Sequence, residues 1–435
     1  MILSRFAVLS VSLTPKVSLF QEPRDEEEKV PLPRKEILNE TAMAESGLLE
    51  NLQELGAAHP DNICLQSFDP EYFRDLDMDL RPQLLRCMNS GVTNPDSKMG
   101  CYACQPEDYD RFKPFFAKAL SAYHGVEMPA MHTSTWDLST VEGLPEDGVL
   151  DLGFGHDLSM RVRVGRNLAA FPLPGSMDRE QRLALEAAML TAFEVLIAKE
   201  GYGGRYVSIT PDHPNFIDAA EYDELVARHI MFKDMSSDKY LQAAGIASEW
   251  PHGRGCYISE DEGFLVWVGE EDHLRIMCMQ KGQALNTVFE RLRVVLETVE
   301  GLEGLGFART EEWGYVTSCP TNIGTGMRAS VHVALPYLAK SGGIEGVEAV
   351  AKPLGLSVRG LGGEHTAIGE DGTVDISPSA RFCVSEAQII GNLYKGVWQL
   401  SEAEANAKDG PEEDGAAEAE PAPEEEAPEE APEEA

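Results

Sequence analysis

No stretch of about 18 or more apolar residues occurs, so nothing in the sequence reads as a membrane-spanning helix. Basic residues are scarce: 36 Lys and Arg stand against 74 Asp and Glu, a formal net charge of −38. An excess of acid repels phosphate backbones and argues against a general nucleic-acid binder. The Cys at 64, 87, 101, 104, 256, 278, 319 and 383 are too scattered for a short disulfide framework. A chain of this size needs none, and a reducing compartment follows. Cys101-Tyr-Ala-Cys104 has C-x-x-C spacing, but no second pair completes a structural zinc site, and no metal ligands are assigned.

The chain is 43% hydrophobic over 435 residues, enough for one large core or two domains. Residues 401–435 hold 15 acids and one Lys, net −14, which leaves −24 for the rest. An anion bound by such a chain must therefore meet a local cluster of Arg. Residues 1–21 lack Asp and Glu but include Arg5, Lys16 and four Ser, a weak transit-peptide pattern. The apolar run at 6–13 also resembles a short signal core, and a disordered extension accounts for both. Residues 1–39 are thus a disordered or targeting extension. The expected compartment is the cytoplasm, with the mitochondrion as the alternative. At the far end, Glu-Glu-Ala-Pro repeats cannot bury apolar area, and 403–435 read as an acidic disordered tail.

Between these ends, 40–133 carry short helical patterns, such as 112–123 ahead of His124-Gly125. From 134 to 402 strands and helices mix. Asp178 and Gln181 form a capping-box pattern that opens a helix with Leu185, Ala188, Met189, Ala192, Phe193 and Leu196 on one face. Residues 263–268 and 274–279 read as strands joined by a polar turn, 286–299 as a helix, and 314–318 and 330–335 as strands. This pattern predicts a mainly antiparallel sheet with helices packed on it.

The most informative segment is Cys319-Pro-Thr-Asn-Ile-Gly-Thr-Gly-Met-Arg-Ala-Ser-Val-His332. Gly324 and Gly326 admit close approach of a ligand to the backbone, and Arg328 can meet phosphate oxygens in a two-pronged contact. The glycines and Glu345 mimic a dinucleotide fingerprint, but 330–335 alternate like a strand where that motif requires a helix.

This segment closely resembles the active-site signature of creatine and arginine kinases, the ATP:guanidino phosphotransferases or phosphagen kinases. The resemblance extends over roughly residues 65–400, through Trp267-Val-Gly-Glu-Glu-Asp-His-Leu-Arg275, Ser159-Met-Arg-Val-Arg-Val-Gly-Arg166 and Val358-Arg-Gly-Leu-Gly-Gly-Glu-His-Thr366. It implies an α+β fold: a small helical N-terminal domain at 40–133 that sets guanidine specificity, then an ATP-binding domain at 134–402. The latter would be an eight-stranded antiparallel sheet flanked by helices, like the catalytic domain of glutamine synthetase.

The resemblance also implies roles. Arg161, Arg163, Arg275, Arg328 and Arg359 would grip the ATP phosphates, with Ser159 beside them. His229 and His332 would lie near adenine and Asp375 near the nucleoside. Glu271 and Glu364 would hold and aim the acceptor guanidinium. Cys319 would be a reactive thiol, with nearby Arg, Ser318 and Thr321 favouring thiolate. Ser97, Lys98, Met99 and Tyr102 fall in a segment that resembles the arginine-kinase specificity loop. Mg2+ would arrive with ATP and keep mostly water ligands, without a protein cage. Partners would be ATP or ADP and arginine or a related guanidine, in a monomer or homodimer. Alternatives are a taurocyamine or other guanidino kinase, and a catalytically silent relative serving as an acidic scaffold. Gly269 departs from the usual Asn. Met160 replaces a small hydroxyl residue, which predicts a weaker contact near phosphate.

Overall fold

The computed structural model describes residues 47–154, 156–340, 342–360, 368–369 and 371–409. The chain divides into two compact units, Met1–Asn51 and Leu52–Ala435. Of the first unit, residues 47–51 are described and are helical. The expected N-terminal extension and most of the expected acidic tail lie outside the described residues. No described helix is long and apolar enough to cross a membrane.

The second unit begins with helices, among them Arg81–Thr93 and Lys113–His124. The latter ends where the sequence predicts, at a left-handed Gly125 with φ 64°. An eight-stranded, wholly antiparallel sheet follows. Its strands are β1 Leu158–Arg166, β2 Gly204–Ser208, β3 Gly255–Ser259, β4 Phe264–Val268, β5 Leu274–Gly282, β8 Met327–Ala334, β9 Leu356–Arg359 and β10 Thr373–Pro378. They lie in the order β2-β3-β4-β5-β1-β8-β10-β9. A separate hairpin pairs β6 Arg309–Thr310 with β7 Gly314–Tyr315.

β1 shows how sequence alternation makes two unlike faces. Leu158, Met160, Val162 and Val164 are buried, while Ser159, Arg161, Arg163 and Gly165 between them are half-exposed. The buried set joins Ile276, Val266, Val331 and Ile376 in one core, against helices Arg179–Ile197, Leu285–Glu300 and Glu386–Asp409. Helix Leu285–Glu300 turns Leu285, Val288, Phe289, Leu292, Val295, Leu296 and Val299 inward, the 3–4 spacing of an amphipathic helix. Asp178 and Gln181 close the expected capping box on Arg179–Ile197.

The structure corrects several expectations. Met160 is fully buried on the core face, so it has no part in a phosphate contact. Residues 314–318 do not form one strand. Beyond Tyr315 the backbone is engaged elsewhere: Val316 N–H donates to Ala308 O at 2.9 Å and Ser318 N–H to the Asp272 carboxylate at 2.7 Å. The last helix runs on to Asp409, past the expected boundary at 402. Glu404 holds it there by accepting the backbone N–H groups of Tyr337 and Leu338 at 2.7 and 2.8 Å.

Candidate active site

The antiparallel register assembles the site. Residues directly opposite one another in such a sheet present their side chains on the same face. Across β1–β8, Arg163 faces Arg328 and Ser159 faces His332. Across β1–β5, Gly165 faces Arg275. Asp375 on β10 faces His332 on one side and Arg359 on the other. Ser159, Arg161, Arg163, Arg275, Arg328, His332, Arg359 and Asp375 therefore share the half-exposed face of the sheet.

That face floors a cavity of about 740 Å³, lined by Ser159, Arg161, Arg163, Arg328, His332, Arg359 and Asp375 among others. Its wall is the segment after helix Ala219–Ala227. Ile230, Met231, Phe232 and Met235 pack with Trp267 and Met277 in a second apolar cluster. Trp267 Nε1 donates to Ile230 O at 2.6 Å, which fixes the wall beside His229, itself a lining residue with φ 58°.

The guanidiniums crowd together with few counter-charges. Among the described residues, Arg161 meets only the Met277 sulfur, at 2.9 Å, and Arg163 makes no hydrogen bond or ion pair. Burial and the charges of Arg275 and Arg328 pull Arg161 down to about 10, and burial with Arg275, Arg161 and Arg328 likewise pulls Arg163 well down. Such a site gains most from an anion that enters among these cations. Arg275 packs over Trp267, 5.3 Å from its ring centre, and pairs with Glu270 at 2.9 Å and Glu271 at 3.6 Å. Arg328 is held by Asp375.

A second cavity of about 450 Å³ adjoins the first, with Asp238, Leu241 and Glu270 lining both. Its other walls are Asp96, Ser97, Lys98, Tyr102, Tyr240 and Glu271. Met99 does not line it; its side chain is buried, with its sulfur 3.7 Å from that of Cys101. Glu364 lies outside the described residues.

Glu271 stands in the turn between β4 and β5. Gly269 opens that turn at φ 75°, a conformation that Asn also adopts readily, which explains why the departure from the family pattern is tolerated. Asp272 anchors the turn by accepting from Asn167 Nδ2 and Ser318 N–H, both at 2.7 Å, and so brings Cys319 beside Glu271. Burial, with Glu270 and Asp272 adding to it, pushes the Glu271 carboxyl up to about 7 against the pull of Arg275 and Cys319.

The expected thiolate at Cys319 is not what this environment favours. The thiol is buried, and burial together with the Glu271 charge pushes it well up, outweighing Thr321, whose hydroxyl lies 3.1 Å away. The Ser318 hydroxyl is buried without a partner and gives no help.

Sequence reasoning missed Arg381. It is half-exposed, lines a small recess with Arg163, Arg275 and Arg328, and donates to Asn322 Oδ1 at 3.0 Å, while its own carbonyl accepts from Thr325 N–H at 3.1 Å. It thus braces the signature loop, whose Gly326 could carry no side chain because a Cβ there would stand 2.7 Å from Gly165 O. The roles of Asp272 and Glu270 were also missed, although both lie in the quoted Trp267–Arg275 motif.

Comparison with known proteins agrees with this geometry. The model of the ATP:guanido phosphotransferase C-terminal catalytic domain matches residues 185–407, and that of the N-terminal domain residues 56–120. An arginine kinase of Polybetes pythagoricus is 37% identical over 327 residues, 74% of this chain and 86% of that protein. An arginine kinase of Anthopleura japonica is 36% identical over 355 residues, 80% of this chain, which spans only 47% of that relative's length. Among solved structures, lombricine kinase aligns with a TM-score of 0.70 at 29% identity, over 80% of this chain and 93% of that one. The substrate-free duplicated taurocyamine kinase from Schistosoma mansoni aligns with a TM-score of 0.69 at 30% identity, over 82% of this chain and 49% of its own. One family's models match the helical segment and all strands of the large sheet except β1, and on that ground the chain belongs to the ATP:guanido phosphotransferases, the phosphagen kinases.

Proposed function

We propose that this chain reversibly transfers the terminal phosphoryl group of MgATP to the guanidino group of arginine, in an ATP-buffering role. The observation that carries this reading is the sheet register, which sets five Arg on one face; four of them, Arg161, Arg163, Arg328 and Arg359, line a cavity that adjoins the one lined by Glu271. Phosphoryl transfer asks mainly for positioning and charge stabilisation, and clustered guanidiniums, with Arg161 and Arg163 facing no carboxylate partner among the described residues, offer both. In this reading Arg161, Arg163, Arg275, Arg328 and Arg359 hold the phosphates, with Ser159 beside them and His229, His332 and Asp375 toward the nucleoside.

The acceptor enters the adjoining cavity. Its guanidinium, with a pKa above about 12, is held by the Glu271 carboxylate and turns one nitrogen toward the phosphorus. As the N–P bond forms and the bond to ADP breaks, Glu271 takes the proton that nitrogen loses. Glu364 is proposed as a second carboxylate at the same guanidinium. Tyr102, Ser97 and Lys98 suit the carboxylate end of arginine, and Asp238 its ammonium.

Mg2+ fits as a companion of the nucleotide. Asp234, Asp238 and Glu270 line the larger cavity, yet among the described residues no trio of ligating side chains gathers there to cage an ion. When bound, the ion would neutralise phosphate charge.

Taurocyamine is the second reading, favoured by Lys98 on the wall of the acceptor cavity, where a sulfonate would sit, and by the taurocyamine kinase structure named above. A coupled ATP-consumption assay with arginine, taurocyamine, lombricine, creatine and glycocyamine distinguishes the two. Arginine should give the highest kcat/KM. Any other guanidine that beats it about tenfold, or 1.4 kcal/mol of transition-state binding, overturns the acceptor assignment.

A further inference from the structure

The C-x-x-C motif plays no part in the proposed reaction, and the fold gives its two thiols different partners. Cys101 adjoins Cys64, and Cys104 adjoins Cys87. The Sγ atoms of Cys87 and Cys104 and a carboxylate oxygen of Asp108 all lie within 4.8 Å of one another. Cys87 Sγ donates to Asp108 Oδ2 at 3.5 Å. The same oxygen accepts the N–H groups of Cys104 and Gln105, both at 2.8 Å, and Arg111 takes the other oxygen at 3.0 Å. A metal ion would have to displace these bonds, which leaves a pair of sulfurs within 4.8 Å of each other.

The pair sits directly behind the acceptor cavity. Cys87 is on helix Arg81–Thr93, and its carbonyl accepts the N–H of Tyr102 at 2.9 Å. The next residue, Ala103, donates to Ser318 O at 2.8 Å, one residue before Cys319. We propose that Cys87 and Cys104 are a peroxide-oxidisable pair, whose intrachain disulfide draws Tyr102 out of place and weakens acceptor binding. The weakened binding rests on the acceptor reading above; the disulfide does not.

The chemistry balances with one hydroperoxide. The Cys104 sulfur attacks the peroxide, the O–O bond breaks, and sulfenic acid and water form. The Cys87 sulfur then displaces the Cys104 oxygen, the S–S bond forms, and Asp108 takes the Cys87 proton on its way to the second water. Two thiols lose two electrons and the peroxide gains them. Both thiols are buried, which restricts the oxidant to a small peroxide, and their environments divide the roles. Hydrogen bonding from Cys87, helped by Ser176 and the charge of Arg86, lowers the Cys104 thiol, while Cys104, burial and Asp108 hold Cys87 up as the protonated partner. An S–S bond is about 2.05 Å long with a fixed dihedral preference, and in this proposal closing it from a separation within 4.8 Å shifts the Tyr102–Cys104 segment. In the proposal that shift strains the backbone bonds of Tyr102 and Ala103.

The test treats the full chain with hydrogen peroxide, blocks remaining thiols with iodoacetamide, and maps unreduced peptides by mass spectrometry. A Cys87–Cys104 cross-linked peptide that dithiothreitol removes is expected. With it should come a several-fold rise in the arginine KM at little changed kcat, with Cys319 recovered unoxidised. Cys87→Ser should show neither change. Free Cys87 and Cys104 under conditions that oxidise Cys383 overturn the proposal, as does stoichiometric zinc on these thiols in the purified protein. A disulfide that leaves the acceptor KM unchanged overturns the link to binding. Inactivity toward every guanidine would sink the functional reading, while the peptide map would still decide the disulfide.

Discussion

Arg328 donates to both oxygens of Asp375, Nη2 to Oδ1 at 2.9 Å and Nη1 to Oδ2 at 3.2 Å. The two residues come from neighbouring strands β8 and β10, and both are buried. His332 Nε2 stands 3.8 Å from the same Asp375 Oδ2. Burial works to raise the Asp375 carboxyl, but His332 and Arg328 outweigh it and bring it down to about 2. Asp375 therefore supplies Arg328 with a counter-charge before any phosphate arrives.

Breaking this pair should be costly. Asp375→Asn leaves a buried guanidinium without its counter-charge and should lower the unfolding free energy by about 3 kcal/mol. Urea denaturation measures this, and saturating MgADP should recover more stability in the variant than in the wild type. The native carboxyl is depressed, so its contribution is complete above the ordinary carboxylate range and fades only as pH falls toward 2. The gap between variant and wild type should thus be flat from about pH 5 to 8. A gap below about 0.5 kcal/mol would show that Arg328 finds another partner.

Glu271 should impose the opposite pH dependence. Its folded carboxyl titrates near 7, against about 4.3 in an unfolded chain, so between these values the folded state holds the extra proton. Its contribution to stability falls as pH rises through that window, and Glu271→Gln should remove the fall. In kinetics, kcat/KM for the acceptor should rise through pH 7 as the carboxylate forms. The limb in kcat should lie lower, because a bound guanidinium favours the charged form. A stability profile of Glu271→Gln that parallels the wild type across this window would contradict the assignment.

Cys319 should be a slow thiol in the ligand-free protein. Timed alkylation near neutral pH should label the more exposed Cys383 first, and the rate at Cys319 should keep rising with pH above the ordinary thiol range. Faster labelling at Cys319 than at Cys383 would mean that the arginines govern the thiol more than its burial does.

That the Arg proposed to meet phosphate share one face of the sheet was legible in part, because their spacing has a local meaning. Ser159, Arg161 and Arg163 alternate with Met160, Val162 and Val164, so strand parity alone puts the two sets on opposite faces. The same parity should have assigned Met160 to the core. What local spacing does not contain is pairing between distant strands, so the meeting of Arg163 with Arg328 and of Asp375 with Arg359 had to come from the resemblance. Burial was equally hidden. Ser318 and Thr321 are visible neighbours of Cys319, but the depth at which Asp272 seats that segment is set by contacts far away in sequence. Arg381 was overlooked because it lies outside every motif that carried the resemblance. The helix that runs on to Asp409 was not foreseen, because composition marks Glu404 as tail, whereas its carboxylate is tied to residues 337 and 338.

The most direct test follows guanidine phosphorylation itself. Phosphorus NMR of the protein with MgATP and arginine should show loss of the γ-phosphate resonance and growth of one N-phosphoryl signal. Arg163→Ala, folded by circular dichroism, should slow that growth by at least about 100-fold, since a preorganised cation is removed from the transferring group. A folded wild-type protein that forms no N-phosphoryl product from arginine, taurocyamine, lombricine, creatine or glycocyamine, or an Arg163→Ala variant with normal turnover, would contradict the account.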